Sequence, residues 1–211
     1  MELLKELTGH KTLTAAEQNR QQKIEKARGN FWEYCLLMNP DFFKRHRQYQ
    51  KTICDTMQAL YEHKLINPNT GKPYDILILN LPPGAGKSYT AALFATWCFG
   101  QSIKNAIITV SYNATLAESF AKNVRSIIGD EEIPSEPDYF VPTSFWPELQ
   151  IKRGDGATNK WSLEGSFMSY LAAGFDGSIT GMRGNIGIID DPIKNAEEAV
   201  NERIKDKHWG F

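Results

Sequence analysis

Apolar residues along this chain change their spacing from one segment to the next, and those changes mark its elements. Residues 1 to about 30 are polar and helix-prone, and Thr14 to Glu17 ("TAAE") have the spacing of a capping box. "FWEYCLLMNPDFF" then supplies apolar anchors that must pack against something. In "RQYQKTICDTMQALYEHKLI" the apolar positions Tyr49, Ile53, Met57 and Leu60 recur every three or four residues, which predicts an amphipathic helix. "NPNTGKPYD" is a turn-rich connector.

Continuous apolar runs follow. "ILILNL" has no polar alternation, as expected of a short strand covered on both faces. A helix is predicted from about Lys87 to Phe99, ended by Gly100. "KNAIITVSY" predicts a second buried strand, and "NATLAESFAKNVRSII" a second helix closed by Gly129. "EEIPSEPDYFVPTSFWPE" is irregular and carries four prolines. "LQIKRG", "KWSLEG" and "SFMSYLAAG" read as short strands, antiparallel in one arrangement. A glycine loop, "GFDGSITGMRGN", leads to one more apolar strand, "IGIIDDP", stopped by Pro192, and "NAEEAVNERIKDKHW" predicts a polar terminal helix. Strand, helix, strand, helix and a late apolar strand imply an α/β fold: a mostly parallel sheet with helices on both faces.

The totals narrow the partners. A length of 211 residues suits one α/β domain with an appended arm, and 41% hydrophobic with 23% charged residues is ordinary for a globular chain. The net charge of -1 excludes a broad basic field, so nucleic acid would be met through a local patch or an assembled ring. The densest basic run, "KRHRQYQK" (Lys44 to Lys51), suits either a solvated helix face or contact with DNA phosphates. Cys35, Cys54 and Cys98 are scattered without metal spacing and read as reduced cytosolic thiols. No apolar run approaches the ~18 residues of a membrane span. The charged start does not resemble a signal peptide.

Candidate chemistry centres on "LPPGAGKS". The general phosphate-loop pattern is GxxxxGK[ST], and Leu81 stands where its first glycine would be. Gly84, Gly86, Lys87 and Ser88 otherwise match, between a predicted strand and a predicted helix. Glycines let backbone N–H groups close around phosphate oxygens, and a helix N-terminus adds partial positive charge. Lys87 would neutralise the β and γ phosphates of ATP and Ser88 would ligate Mg²⁺. Pro82 and Pro83 stiffen the approach. The nucleotide-binding set is Pro83, Gly84, Ala85, Gly86, Lys87, Ser88 and Tyr89, with Gln50 upstream as the adenine contact and Tyr49 or Phe43 near the ring face. A solvated helix glutamine is the other reading of Gln50.

Hydrolysis also needs carboxylates at a neighbouring strand end, and "IGIIDDP" offers two. Asp190 would hold Mg²⁺ and Asp191 would orient or deprotonate the attacking water; alternatively, an Asp here caps the next helix. Arg183 in "ITGMRGN" is the first choice for a mobile positive charge at the γ-phosphate, with Arg125 next and an exposed loop arginine as the plain reading. On these assignments Lys87, Asp191 and Arg183 are catalytic, and Ser88 and Asp190 are metal ligands.

The order "ARGNFWEYCLLMNPDFF", "RQYQKTI", "ILILNLPPGAGKS", "AIITVSYNATLAESFAKNVRSII", "GSITGMRG" and "IGIIDDPIKNAEEA" resembles the large subunit of tailed-phage terminase, from about residue 27 onward. The resemblance implies a P-loop NTPase of the ASCE/RecA-like type. Residues 1–60 would be a helical arm with the adenine motif and 61–211 the ATPase core, which would look truncated, lacking the family's nuclease domain. It further implies a homo-oligomeric ring on the portal protein, a small-subunit partner, double-stranded DNA as cargo, and the cytoplasm of the bacterial host as location. A helicase-like nucleic-acid ATPase and a nucleotide-binding fragment without turnover are the competing expectations.

Overall fold

The computed structural model describes residues 13–133, 135–155, 157–175, 177, 179, 181–193, 200, 202 and 203. The chain begins with three helices, α1 (Ala15–Gly29), α2 (Phe31–Met38) and α3 (Gln48–Tyr61). Thr14 caps α1 as its spacing predicts: its hydroxyl accepts from the Glu17 N–H at 3.2 Å, and the Glu17 carboxylate accepts from the Thr14 N–H at 2.7 Å. Then come α4 (Lys87–Gln101), β1 (Ile107–Ser111), α5 (Ala114–Gly129), α6 (Pro142–Phe145), β2 (Lys160–Trp161), β3 (Tyr170–Gly174) and β4 (Ile186–Ile189). The fold is mixed α/β: helices first, then a four-stranded, mostly parallel sheet packed with helices.

The sheet runs in the order β2-β3-β1-β4. β1 is central and parallel to both β3 and β4, while β2 pairs antiparallel with β3. Register places Ile107, Tyr170 and Ile186 side by side, then Thr109, Ala172 and Ile188. Of these side chains all but Thr109 enter one continuous apolar core, and the buried residues of α1 to α6 feed the same core. On the opposite face Val110 and Leu171 are buried but lie outside that core. On the same face Ile189 is 64% exposed, so the described residues cover this side only in part.

Aromatic rings knit the helices together. Phe31 of α2 packs edge-on to Phe94 of α4 at 5.2 Å and tilts against Trp97 at 5.7 Å, and Trp161 stacks on Tyr170 at 4.8 Å. Burying each such side chain contributes about 1.5–3 kcal/mol. Gly100, expected to end α4, lies inside it. A Cβ there would sit 2.2 Å from the Trp146 ring, so this glycine makes room for an aromatic.

The strand expected at "ILILNL" does not form. Residues 75–80 form neither helix nor strand and pair with no described strand, and Ile76 and Ile78 are 76% and 75% exposed. Only Leu77 and Leu79 turn towards the core. The run looks doubly covered by composition, yet burial on both faces requires neighbours, and among the described residues none is hydrogen-bonded to it. The predicted terminal helix lies largely outside the described residues. No helix among the described residues is long and apolar enough to cross a membrane.

Candidate functional site

The glycine turn is built as its residue types demand. Gly84 and Gly86 have φ of 78° and 85°, a region that side chains disfavour, and Gly86 lies directly under the Phe42 ring. α4 starts at once, with Gly86 as its cap and no side-chain acceptor there. The backbone N–H groups of Gly84, Gly86, Lys87, Ser88 and Tyr89 consequently have no acceptor among the described residues. Five unsatisfied donors at the positive end of a 15-residue helix form a cradle for an anion. The Lys87 ammonium folds back to donate to the Leu81 carbonyl at 2.7 Å, at the mouth of the same turn.

The acidic pair arrives from the sheet. The Asp190 N–H donates to the Val110 carbonyl at 3.0 Å, which continues the β4 ladder one residue beyond the strand. Its carboxylate is raised above the usual carboxylate range by partial burial; the nearby Ser88 hydroxyl opposes the shift, the neighbouring Asp191 adds to it, and Lys87 opposes it. Ser88, Lys87 and Asp190, remote in sequence, are therefore neighbours in space. A hydroxyl, an ammonium and a carboxylate beside an anion cradle can hold a phosphate oxygen and a divalent cation together. Asp191 is exposed and left-handed, with φ of 46°, and its carbonyl accepts from the Tyr112 N–H at 3.2 Å. Non-glycine residues occupy that region at a cost of order 1 kcal/mol or more, and such strain clusters at functional sites.

Other expected site residues are placed differently. Gln50 is buried, and its amide is engaged with loop backbone: Oε1 accepts from the Lys44 N–H at 3.2 Å and Nε2 donates to the Phe42 carbonyl at 3.1 Å. Phe43 is buried and Tyr49 is exposed, so Phe42 is the aromatic that meets the glycine turn. Tyr89 turns its ring into an aromatic group with Phe42 and Phe43, and its hydroxyl accepts from Asn39 Nδ2 at 3.1 Å. Ala85 and Pro83 form the outer part of the turn.

Arg183 lies at the wrong end of β4 to serve its own chain's acidic pair. Residues 185 and 186 bond to the Ala106 carbonyl at the start of β1, whereas Asp190 and Asp191 bond at its finish. At a rise of about 3.3 Å per residue, the strand separates the two ends by roughly 13 Å. Arg183 is exposed and bonds to no described residue. Arg125 donates to the Ala157 carbonyl at 3.2 Å, on the outer side of α5. The basic run is also spoken for: Arg45 pairs with Glu33, Lys44 with Asp41, and Lys51 with Asp55, while Arg47 donates to the Phe42 carbonyl. That pattern matches a structural surface.

Three residues escaped sequence reasoning. Thr109 and Tyr170 share a hydrogen bond inside the core, and Ser111 Oγ is buried with no partner among the described residues. The signal was present in "ITVSY", where polar residues fall at every second position of a buried strand. An open cavity of about 760 Å³ beside Tyr89 is lined by Asp41, Asp130, Glu136 and Asp138, and no residue of the glycine turn except Tyr89 reaches it. Four acidic side chains make it hostile to phosphate. The three cysteines are free and buried, and no group of metal-binding side chains occurs among the described residues.

No protein-family model matches this sequence, and no curated protein matches it at a significant level.

Proposed function

We propose that the chain is the ATP-hydrolysing domain of a phage terminase large subunit, a P-loop motor unit of the ASCE/RecA-like kind that drives double-stranded DNA into a prohead. The observation that carries this reading is the meeting of Lys87 and Ser88 at the start of α4 with Asp190 at the end of β4. The donor set fits the group: five open N–H donors for phosphate oxygens, an ammonium for their charge, and a hydroxyl with a carboxylate for Mg²⁺. Bound Mg²⁺-ATP would supply the scissile phosphoanhydride bond and the charge that these groups neutralise. Residues 83 to 89 hold the phosphates, Ser88 and Asp190 hold the metal, and Asp191 orients water.

Two further assignments follow the geometry. Arg183, at the opposite end of β4, acts on the site of a neighbouring subunit, as a homo-oligomeric ring on a portal protein would allow. Gln50 acts on the base through the backbone of residues 42–44 that it holds. Portal protein, small terminase subunit and DNA are the partners of this reading, in the cytoplasm of the bacterial host.

The test is Mg²⁺-dependent phosphate release, with nucleotide binding measured in parallel. Lys87→Ala should abolish release, and Asp191→Asn should block turnover while ATP still binds. Full activity in Lys87→Ala would overturn the assignment. A second reading, nucleotide binding without turnover, is favoured by the unpaired segment 75–80 that leads into the turn. It predicts measurable ATP affinity with no phosphate release, even with DNA added.

A further inference from the structure

Three hydroxyls line the core face of the sheet beneath the acidic pair. Thr109 and Ser111 alternate on β1, so both point to the side of Ile107, and Tyr170 stands beside them on β3. Thr109 and Tyr170 satisfy each other. Ser111, one step nearer the glycine turn, is fully buried and has no partner among the described residues.

Register says what Ser111 faces. β1 pairs with β4 from Ile107↔Ile186 to Val110↔Ile189, and the Asp190 N–H bond to the Val110 carbonyl carries the ladder one step further. Ser111 therefore lies alongside Asp190, with Gly174 on its other flank. Gly174 has no side chain to cover it, and the first residues of α5 close over that glycine instead, with Ala114 N only 2.5 Å from where a Cβ would be. A hydroxyl left dry and unpaired is destabilising, and a partner gained on ligand binding would remove that cost. One step beyond the Val110↔Ile189 pair, Asp190 is the carboxylate that the register sets beside Ser111.

We propose that Ser111 is a positioning residue for Asp190: when Mg²⁺ and a nucleotide occupy the site, the Ser111 hydroxyl donates to the Asp190 carboxylate. That hydrogen bond holds the Asp190 carboxylate in place and gives the buried hydroxyl the acceptor it lacks. This inference rests on the reading of the site as one for Mg²⁺ and a nucleotide triphosphate.

The experiment measures binding of a non-hydrolysable ATP analogue by calorimetry, with and without Mg²⁺, together with the unfolding of the unliganded protein. Ser111→Ala should weaken the Mg²⁺-dependent affinity about 10- to 100-fold, as expected for one lost hydrogen bond to a charged group. Metal-free affinity should stay unchanged, and unliganded stability should hold or rise, because no bond exists to lose there and the unpaired hydroxyl is gone. Ser111→Cys, similar in volume but a weak donor, should fall between. If the wild type binds with Mg²⁺ and Ser111→Ala binds equally well, the Ser111 role is wrong. A Ser111→Ala protein that loses stability without ligand would make the hydroxyl a structural group and overturn the role as well. If the wild type shows no Mg²⁺-dependent binding, the site reading itself fails and takes the Ser111 role with it.

Discussion

Both oxygens of the Glu33 carboxylate are held by Arg45, at 3.0 and 2.7 Å, and Lys26 adds a third contact at 2.8 Å. One half-buried acid therefore ties α1, α2 and the loop before α3 together. The Arg45 guanidinium is the main reason the Glu33 carboxyl is held down to about 2, with burial opposing and Lys26 assisting.

Glu33→Gln should destabilise the fold at neutral pH by about 1–2 kcal/mol, a figure kept small because both cations are largely exposed. A depressed carboxylate stabilises above its unfolded pKa and loses that stabilisation as pH falls through its folded value. The gap between wild type and variant should thus be full above pH 4.5 and close progressively towards about pH 2. Urea denaturation across that range measures it.

Gln50 separates structural from nucleotide effects. Gln50→Ala removes two buried backbone contacts, and about 2 kcal/mol of unliganded stability should go with them. A glutamine that served only a base would leave the unliganded protein unchanged in thermal unfolding.

Gly86→Ala should cost about 1–3 kcal/mol, since the backbone is left-handed there and a new methyl carbon would lie 2.2 Å from Phe42 Cζ. Combining it with Phe42→Ala should recover the steric part but not the conformational part. A double-mutant cycle on denaturation midpoints measures the coupling.

Ile76 and Ile78 face water, so Ile76→Ser with Ile78→Ser should change stability by less than about 0.5 kcal/mol. The same pair should lower concentration-dependent association, because an exposed apolar stretch with open hydrogen-bonding groups is an aggregation hazard. Light scattering over a concentration series reads this directly.

How far the chain was legible from its residues follows from the reach of each signal. Helical period and caps act over a few residues, so α3, α4 and α5 and the Thr14 cap were readable. The glycine turn at the start of α4 was readable for the same reason. Strand burial depends on partners far away in sequence, and "ILILNL" was misread because composition cannot report whether a neighbour is there. β3 was legible as a strand but not as one parallel to β1, since pairing is decided across about 60 residues. In the site, Ser88 and Asp190 were named from motif chemistry, whereas Ser111 and Phe42 were not. Their importance comes from burial and from what lies beside them, which no local pattern encodes.

Placement of Arg183 and Asp190 beyond opposite ends of one short strand has a consequence for symmetry. A contact that brought the arginine end of one copy to the acidic end of the next would join unlike surfaces. Such a heterologous junction cannot be closed by a twofold axis, because it leaves one unlike surface free on each copy. Repeated with a fixed rotation, it continues until the copies meet in a cycle or run on as a screw.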